Sequence, residues 1–283
     1  MLLSIITINY NNAQGLKRTL ASITSQTYID FEHVIIDGGS SDGSKDIIEE
    51  YANDASYPVS WVSERDNGIY HAMNKGIKRA LGEYIQILNS GDCLASDDVV
   101  EEMLKALNEV NVKESVHVPI FYGNMLKDYR NGNVKKDTCG FDNYTPSSFL
   151  YFYKGTLNHD CAYIRRDLFD KYGYYNEQMK ICSDWEWYVR VIVIGGEKTI
   201  YTNIDVTIFD MGGISENGGV NKDLIKKERR GYLESILYPS VLNDYDIYSF
   251  PMTQYNRLKK YHLWCIVYFV ERVLFKLEKF FGL

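Results

Sequence analysis

The chain has 283 residues, with 31 lysines and arginines against 38 aspartates and glutamates, for a formal net charge of −7. At 45% hydrophobic and 24% charged residues its composition is that of a folded protein, which excludes disordered, collagenous and coiled-coil chains. The acidic balance argues against a dedicated nucleic-acid binder, whose footprint is basic.

The length suits one large domain or two small ones. Tyrosine is over-used, with 24 residues, and a tyrosine can either pack in a core or stack on a planar ligand while its hydroxyl bonds. The five cysteines, Cys93, Cys139, Cys161, Cys182 and Cys265, are widely spaced with no C-x-x-C pattern. They read as reduced packing residues of a cytoplasmic protein. Met1 to Tyr10 lacks a basic leader and a cleavage site and reads as a buried strand. No stretch reaches the roughly 20 apolar residues of a membrane span, so the Asn143-Tyr144-Thr145 sequon is expected to carry no glycan.

In chain order, Leu3 to Ile8 is a continuous apolar run of the kind a strand shows when both faces are covered. A polar turn and a helix through Leu16, Leu20 and Ile23 follow. His33–Ile36 is the next strand, closed by the Asp37–Ser44 loop, and a helix spans about Lys45–Tyr51. Val59–Val62 ends at Ser63–Gly68, a helix covers about Ile69–Ala80, and Tyr84–Leu88 ends at Asn89-Ser90-Gly91-Asp92. Four repeats of strand, loop and helix predict an α/β fold with a mostly parallel sheet flanked by helices, and ligands at the carboxyl ends of its strands.

From about Val116 the rhythm changes. Strands are expected at Val118–Tyr122, Ala162–Ile164 and within Thr199–Phe209, with a turn at Asn131-Gly132-Asn133 and a helix over Asp184–Ile194. Lys222–Leu237 reads as a charged helix. After Pro239 and Pro251 a last helix is expected from about Gln254 to the end.

Asp37, Asp66, Asp92 and Asp184 stand at strand ends or helix starts. Singly each is explained as a turn or cap residue; together they converge on one sheet edge. Asp37 is placed to accept the ring N–H of a uracil, with Tyr10 stacking on that base. The Gly38–Ser44 loop has no Walker A lysine, and no G-x-G-x-x-G follows the first strand. Asp92 is a hard oxygen ligand for Mg²⁺ or Mn²⁺ beside small Ser90 and Gly91, with diphosphate oxygens completing the shell. Asp184-Trp185-Glu186 offers a general base beside a sugar platform, or else a capping aspartate and a core tryptophan.

These segments resemble glycosyltransferase family 2 with the GT-A nucleotide-diphospho-sugar transferase fold, in its bacterial surface-polysaccharide subgroup. The matching pieces are Ser4–Asn11, Ile36–Ser44, Ser63-Glu64 with Asp66–Tyr70, Ala72–Gly76, Leu88–Asp92 and Ser183–Glu186. The resemblance implies that Ile8, Tyr10, Asp37, Asp66, Asn74 and Ser90 hold the nucleotide-sugar, that Asp92 binds Mn²⁺ or Mg²⁺, and that Asp184 is the catalytic base of an inverting transfer. His159, Trp185 and Glu186 fall to the acceptor side. Three positions depart from the pattern. Asn89 and Gly91 stand where relatives carry Asp, Ser183 replaces an acidic residue, and His71 replaces another Asp.

The resemblance also implies a catalytic domain over 1–215, divided into a nucleotide-binding half (1–110) and an acceptor half (111–215). Residues 216–283 follow as a lid loop and helical extension; the Gly212-Gly213 and Gly218-Gly219 pairs suit hinges of such a lid. The function implied is transfer of a hexose from a nucleotide-diphospho-sugar, UDP-linked, to a saccharide or lipid-linked saccharide. A nucleotidyltransferase and a non-catalytic nucleotide-sugar-binding protein are the alternatives. Leu263, Ile266, Val267, Val270, Val273, Leu274, Leu277 and Phe281 fall at helical spacing opposite Arg272, Lys276 and Lys279. That stripe suits a peripheral contact with the inner face of the cytoplasmic membrane, packing on the catalytic domain, or a homodimer.

Overall fold

A computed structural model describes residues 1–129, 134–138, 148–211, 221–260 and 264–281. The first strand, β1 (Leu3–Asn9), is buried along its whole length, as its uninterrupted apolar run requires. It lies between β2 (Phe31–Asp37) and β4 (Tyr84–Ile87), parallel to both, and β3 (Val59–Ser63) extends the parallel sheet beyond β2. Helices α1 (Ala13–Thr24), α2 (Ser44–Asp54) and α3 (Ile69–Arg79) make the crossovers. Gly76 lets α3 sit against β1, because a Cβ there would lie 2.4 Å from Ile6 Cγ2.

The second half makes the sheet mixed. Two-residue β5 (Cys93–Leu94) is followed by α4 (Val99–Glu114), β6 (Ile120–Asp128), β7 (Val134–Asp137), α5 (Phe149–Lys154), β8 (Ala162–Arg165) and α6 (Asp167–Tyr172). Then come α7 (Ser183–Tyr188), a π-helical turn (Val189–Ile194) and the long strand β9 (Thr199–Asp210). The strand order is β3-β2-β1-β4-β8-β6-β9-β5, with β7 paired to β6. β8 runs antiparallel to β4 and β6, β5 antiparallel to β9, and β6 parallel to β9. The parallel character therefore belongs to the first half, and β8 turns the sheet so that β9 brings its end back toward β5.

The helix expected over Asp184–Ile194 is α-helical only to Tyr188. The following Val-Arg-Val-Ile-Val-Ile run crowds β-branched side chains and adopts the wider π turn. α8 (Lys222–Ile236) matches expectation. The last helix was expected after both prolines, but α9 (Pro239–Lys260) starts at Pro239 and runs through Pro251; α10 spans Trp264–Phe281. Pro239 fits because the first helical position needs no N–H.

Much of the tyrosine excess is core: Tyr84, Tyr122, Tyr163, Tyr175 and Tyr188 are buried beside Trp185 and Trp187. Cys93, Cys161 and Cys182 are free thiols. The expected lid glycines at 212–219, the turn at 131–133, the sequon at 143–145, Cys139 and Leu263 lie outside the described residues.

Candidate active site

The ends of β1, β2 and β3 build the first part of the site. Asp37 is fully buried. Its Oδ1 accepts from Asn9 Nδ2 (2.8 Å) and Ser40 Oγ (2.6 Å), its Oδ2 from Ser40 N (2.9 Å) and Ser63 Oγ (2.6 Å). Burial pushes this carboxyl up, but the hydrogen bonds from Ser40, Ser63 and Asn9 outweigh it and leave Asp37 below the usual range. The expectation that Asp37 faces a base is therefore corrected: its oxygens are spent joining three loops.

Asp66 is the carboxylate left open. Its Oδ1 accepts from His71 Nδ1 (2.8 Å) and Lys75 Nζ (2.6 Å). Its Oδ2 is buried without a hydrogen-bond partner among the described residues. It faces Gly38, where a Cβ would lie 3.5 Å from that oxygen and 3.0 Å from Tyr10 Cδ2. Tyr10 itself is 68% exposed, and Ile8 is buried behind it. Asn74, expected on the donor, is buried and ties α3 to the second half through Tyr175 N (3.1 Å), Tyr175 O (2.9 Å) and Glu177 Oε1 (2.9 Å). Ser90 holds the Asn12 amide through its carbonyl (2.8 Å) and hydroxyl (3.3 Å).

Beyond β4 the turn Asn89-Ser90-Gly91-Asp92 needs glycine at its third position, where φ is +113°. Asp92 is buried, and its Oδ1 accepts from Asp210 N at the end of β9 (3.0 Å). Burial, then the neighbouring charge of Asp160, pushes Asp92 up to about 7. Asp160 is raised by its own burial, partly offset by His159 and by Thr207, whose hydroxyl donates to it at 3.0 Å. Among the described residues no group of three or more His, Cys, Asp or Glu side chains is arranged to hold a metal ion.

Asp184 opens α7 and is met from two sides. The Tyr70 hydroxyl lies 3.0 Å from its Oδ1 and 2.5 Å from the Ile181 carbonyl, and His159 Nδ1 lies 3.2 Å from its Oδ2. The other ring nitrogen, Nε2, is 3.3 Å from Asn89 Nδ2, which assigns the neutral ring as the Nδ1–H tautomer, donating to Asp184 and accepting from Asn89. Burial raises Asp184, yet the bond and charge of His159, the Trp185 amide and Tyr70 together hold it below the usual carboxylate range. Burial lowers His159, but the bond to Asp184 and the charges of Asp184, Asp160 and Asp92 leave it raised.

Trp185 and Glu186 do not face this space, contrary to the acceptor role expected of them. The Trp185 indole is buried and donates to Phe152 O (2.7 Å), and Glu186 is buried against Arg190 at 3.0 Å. A six-residue helix turns only part of its circumference to the site, and Asp184 holds that part. Tyr70, Asn89 and Asp210 were missed as partners. Tyr70 and Asn89 lie inside the quoted motifs, but their contacts span 114 and 70 residues.

The edge-lining carboxylates and the mixed sheet define a GT-A-type sugar-nucleotide transferase fold. The sequence profile of glycosyl transferase family 2 matches residues 4–173, and the chain belongs to that family. It is 29% identical to a PGL/p-HBAD biosynthesis glycosyltransferase of Mycobacterium tuberculosis over 225 residues, 79% of this chain and 82% of the relative. Its fold is similar to that of Staphylococcus aureus TarS 1–349 in complex with UDP-GlcNAc (TM-score 0.64, 19% identity, 85% of this chain and 69% of that one). It is also similar to the mannosyltransferase PcManGT of Pyrobaculum calidifontis in complex with GDP-Man and Mn²⁺ (TM-score 0.60, 18% identity, 83% and 67%). Family membership makes the chain a glycosyltransferase and sets the nucleotidyltransferase reading aside.

Proposed function

We propose that this glycosyltransferase moves a hexose from a UDP-sugar to a saccharide or lipid-linked saccharide of a bacterial surface polysaccharide, with inversion at the anomeric carbon. The observation that carries the mechanism is Asp184, half-buried, with its carboxyl held below the usual range between His159 and Tyr70 on the same sheet edge as Asp92. The first half (1–110) takes the nucleotide and residues 111–215 take the acceptor.

Tyr10 stacks on the base, and Asp66 Oδ2 accepts its imide N–H, the task first expected of Asp37. Gly38 leaves room for that approach. Ser90 and Gly91 let the diphosphate close on the β4 end. Asp184 takes the proton of the acceptor hydroxyl, and the oxygen attacks the anomeric carbon opposite the diphosphate. The bond from that carbon to the diphosphate oxygen breaks as the new glycosidic bond forms, and UDP leaves. His159 donates to Asp184 throughout and steadies the carboxylate's orientation.

Asp92 fits a share in a divalent cation. It is a hard oxygen ligand whose charge is disfavoured by burial beside Asp160, a repulsion that a cation relieves. When bound there, Mn²⁺ or Mg²⁺ supplies electrostatic stabilisation to the leaving diphosphate. With one such carboxylate, diphosphate oxygens complete much of the shell.

No described helix is long and apolar enough to cross a membrane. α10 nevertheless exposes Phe269, Val270, Val273, Leu274, Phe275 and Leu277. Residues 254–283 carry six lysines and arginines against two glutamates, in a chain of net charge −7. These features support peripheral binding to an anionic bilayer surface; co-sedimentation of full-length and 1–253 protein with anionic vesicles tests it, equal binding rejecting the role. The transfer reaction itself is tested by screening nucleotide-sugars and following the product by NMR. UDP release with an inverted anomeric centre is expected; a retained configuration contradicts the mechanism.

A further inference from the structure

The helix that carries Asp184 is anchored in the core by Trp185 and Trp187, but its start has no cap of its own. α7 is six residues long, its N-cap is Cys182, and no side chain of its own caps it. The amides around such a helix start need acceptors from elsewhere. They find one 46 to 48 residues on, in α8. Glu228 accepts from Lys180 N at 2.6 Å through Oε1, and from Ile181 N at 3.1 Å and Cys182 N at 3.0 Å through Oε2. A carboxylate receiving three successive backbone amides makes charge-assisted bonds and complements the positive end of the helix dipole.

The clamp acts on the backbone that sets the base. The Ile181 carbonyl is 2.5 Å from the Tyr70 hydroxyl, the same hydroxyl that lies 3.0 Å from Asp184 Oδ1. A shift of residues 180–182 therefore moves both Tyr70 and Asp184. The rest of α8 grips the neighbouring residue: the Arg229 guanidinium lies 5.0 Å above the Trp185 ring, and Tyr232 meets that ring edge-on at 5.8 Å. Leu233 of the same helix is buried in the core.

We propose that Glu228 is a positioning residue for the catalytic base, fixing Asp184 against Tyr70 and His159 through the Lys180–Cys182 amides. The inference rests on Asp184 being that base. It also gives α8, which lies beyond the 4–173 family match, a part in turnover through the backbone it holds.

The test compares wild type with Glu228→Ala, Glu228→Gln, Asp184→Asn and Glu234→Ala. The last breaks only an exposed pair with Arg230 on the same helix. Turnover is read as UDP released from UDP-GlcNAc, UDP-glucose or UDP-galactose, whichever the wild type uses. Hydrogen exchange of the 180–182 amides and the dissociation constant of UDP are measured alongside. Displacing a reacting group by about 1 Å costs on the order of 100-fold. Glu228→Ala is therefore expected to lose roughly 10- to 100-fold in kcat, with UDP affinity unchanged within about twofold. Exchange at residues 180–182 should rise by about tenfold or more, reflecting easier local opening. Glu228→Gln, which keeps the volume but turns a donor toward amides, should fall between, and serves alone if the alanine variant does not fold. Glu234→Ala should behave as wild type. Glu228 variants with wild-type kcat, or a loss matched by Glu234→Ala, overturn the proposal. Asp184→Asn with wild-type kcat overturns the base assignment instead.

Discussion

His159 and Asp184, 25 residues apart in sequence, meet at 3.2 Å and form a half-buried ion pair when the ring is protonated. Their pKa shifts run in opposite directions, Asp184 down and His159 up. Asp184's share of stability is present above its unfolded pKa of about 3.9 and is lost as pH falls through its lower folded value. His159's share is complete below its unfolded pKa of about 6.5 and is lost as pH rises through its raised folded value. His159→Asn should therefore lack the decline in melting temperature that wild type shows above about pH 6.5. Without the histidine the Asp184 carboxyl titrates higher, so the acid limb of the kcat profile should move up in pH. A variant whose melting and kcat profiles overlay those of wild type would remove His159 from the account.

Asp92 makes a second pH prediction of a different sign from an ordinary paired carboxylate. Its folded pKa is pushed up to about 7 by burial and then by Asp160. The folded state therefore favours the protonated form, and stability should fall as pH rises from about 4 through about 7. Asp92→Asn should flatten that loss in thermal melts, and Mn²⁺ with UDP should reduce it in wild type. Because cation binding displaces the Asp92 proton, Mn²⁺ affinity in the presence of UDP should weaken below about pH 7. Calorimetry showing pH-independent affinity would count against Asp92 as the cation's ligand.

Tyr10 is exposed, so its removal should cost little stability and much binding. Base stacking on an aromatic ring is worth about 1–3 kcal/mol, which for Tyr10→Ala is a loss of about 5- to 150-fold in UDP affinity by calorimetry. Asp66→Asn should weaken UDP as well, because it alters the unpartnered Oδ2 and the anchor for His71 and Lys75. Thermal-shift titration with UDP and GDP checks the base preference; stronger stabilisation by GDP would reverse it.

Trp187 anchors the helix that carries Asp184 from the core side. It is fully buried, stacks on Phe169 with ring centroids 4.3 Å apart, and donates to Gly173 O at 2.8 Å. Trp187→Ala should cost about 3–5 kcal/mol in urea unfolding.

What was legible in the sequence divides along a physical line. The unbroken apolar run of β1, the polar turn after it, and the Gly- and Asp-bearing loops after β2, β3 and β4 are local signals. They placed the parallel half correctly. The path through β8 and β9 is set by antiparallel pairings between distant segments, for which a single strand carries no mark. The same holds within the site. Asp37 looks like any strand-end carboxylate until Ser40, Ser63 and Asn9 are seen to occupy it. Asp66 becomes the open carboxylate only because His71 and Lys75 take its other oxygen. Pro251 was read as a break, yet α9 passes through it.

The central claim is that Asp184 removes the acceptor proton, and the direct measurement is the turnover of Asp184→Asn under conditions where it still binds UDP. The amide keeps the volume and contacts to Tyr70 but cannot take a proton. The account predicts a rate lower by on the order of 10²–10⁴. A rate within a few-fold of wild type would contradict it.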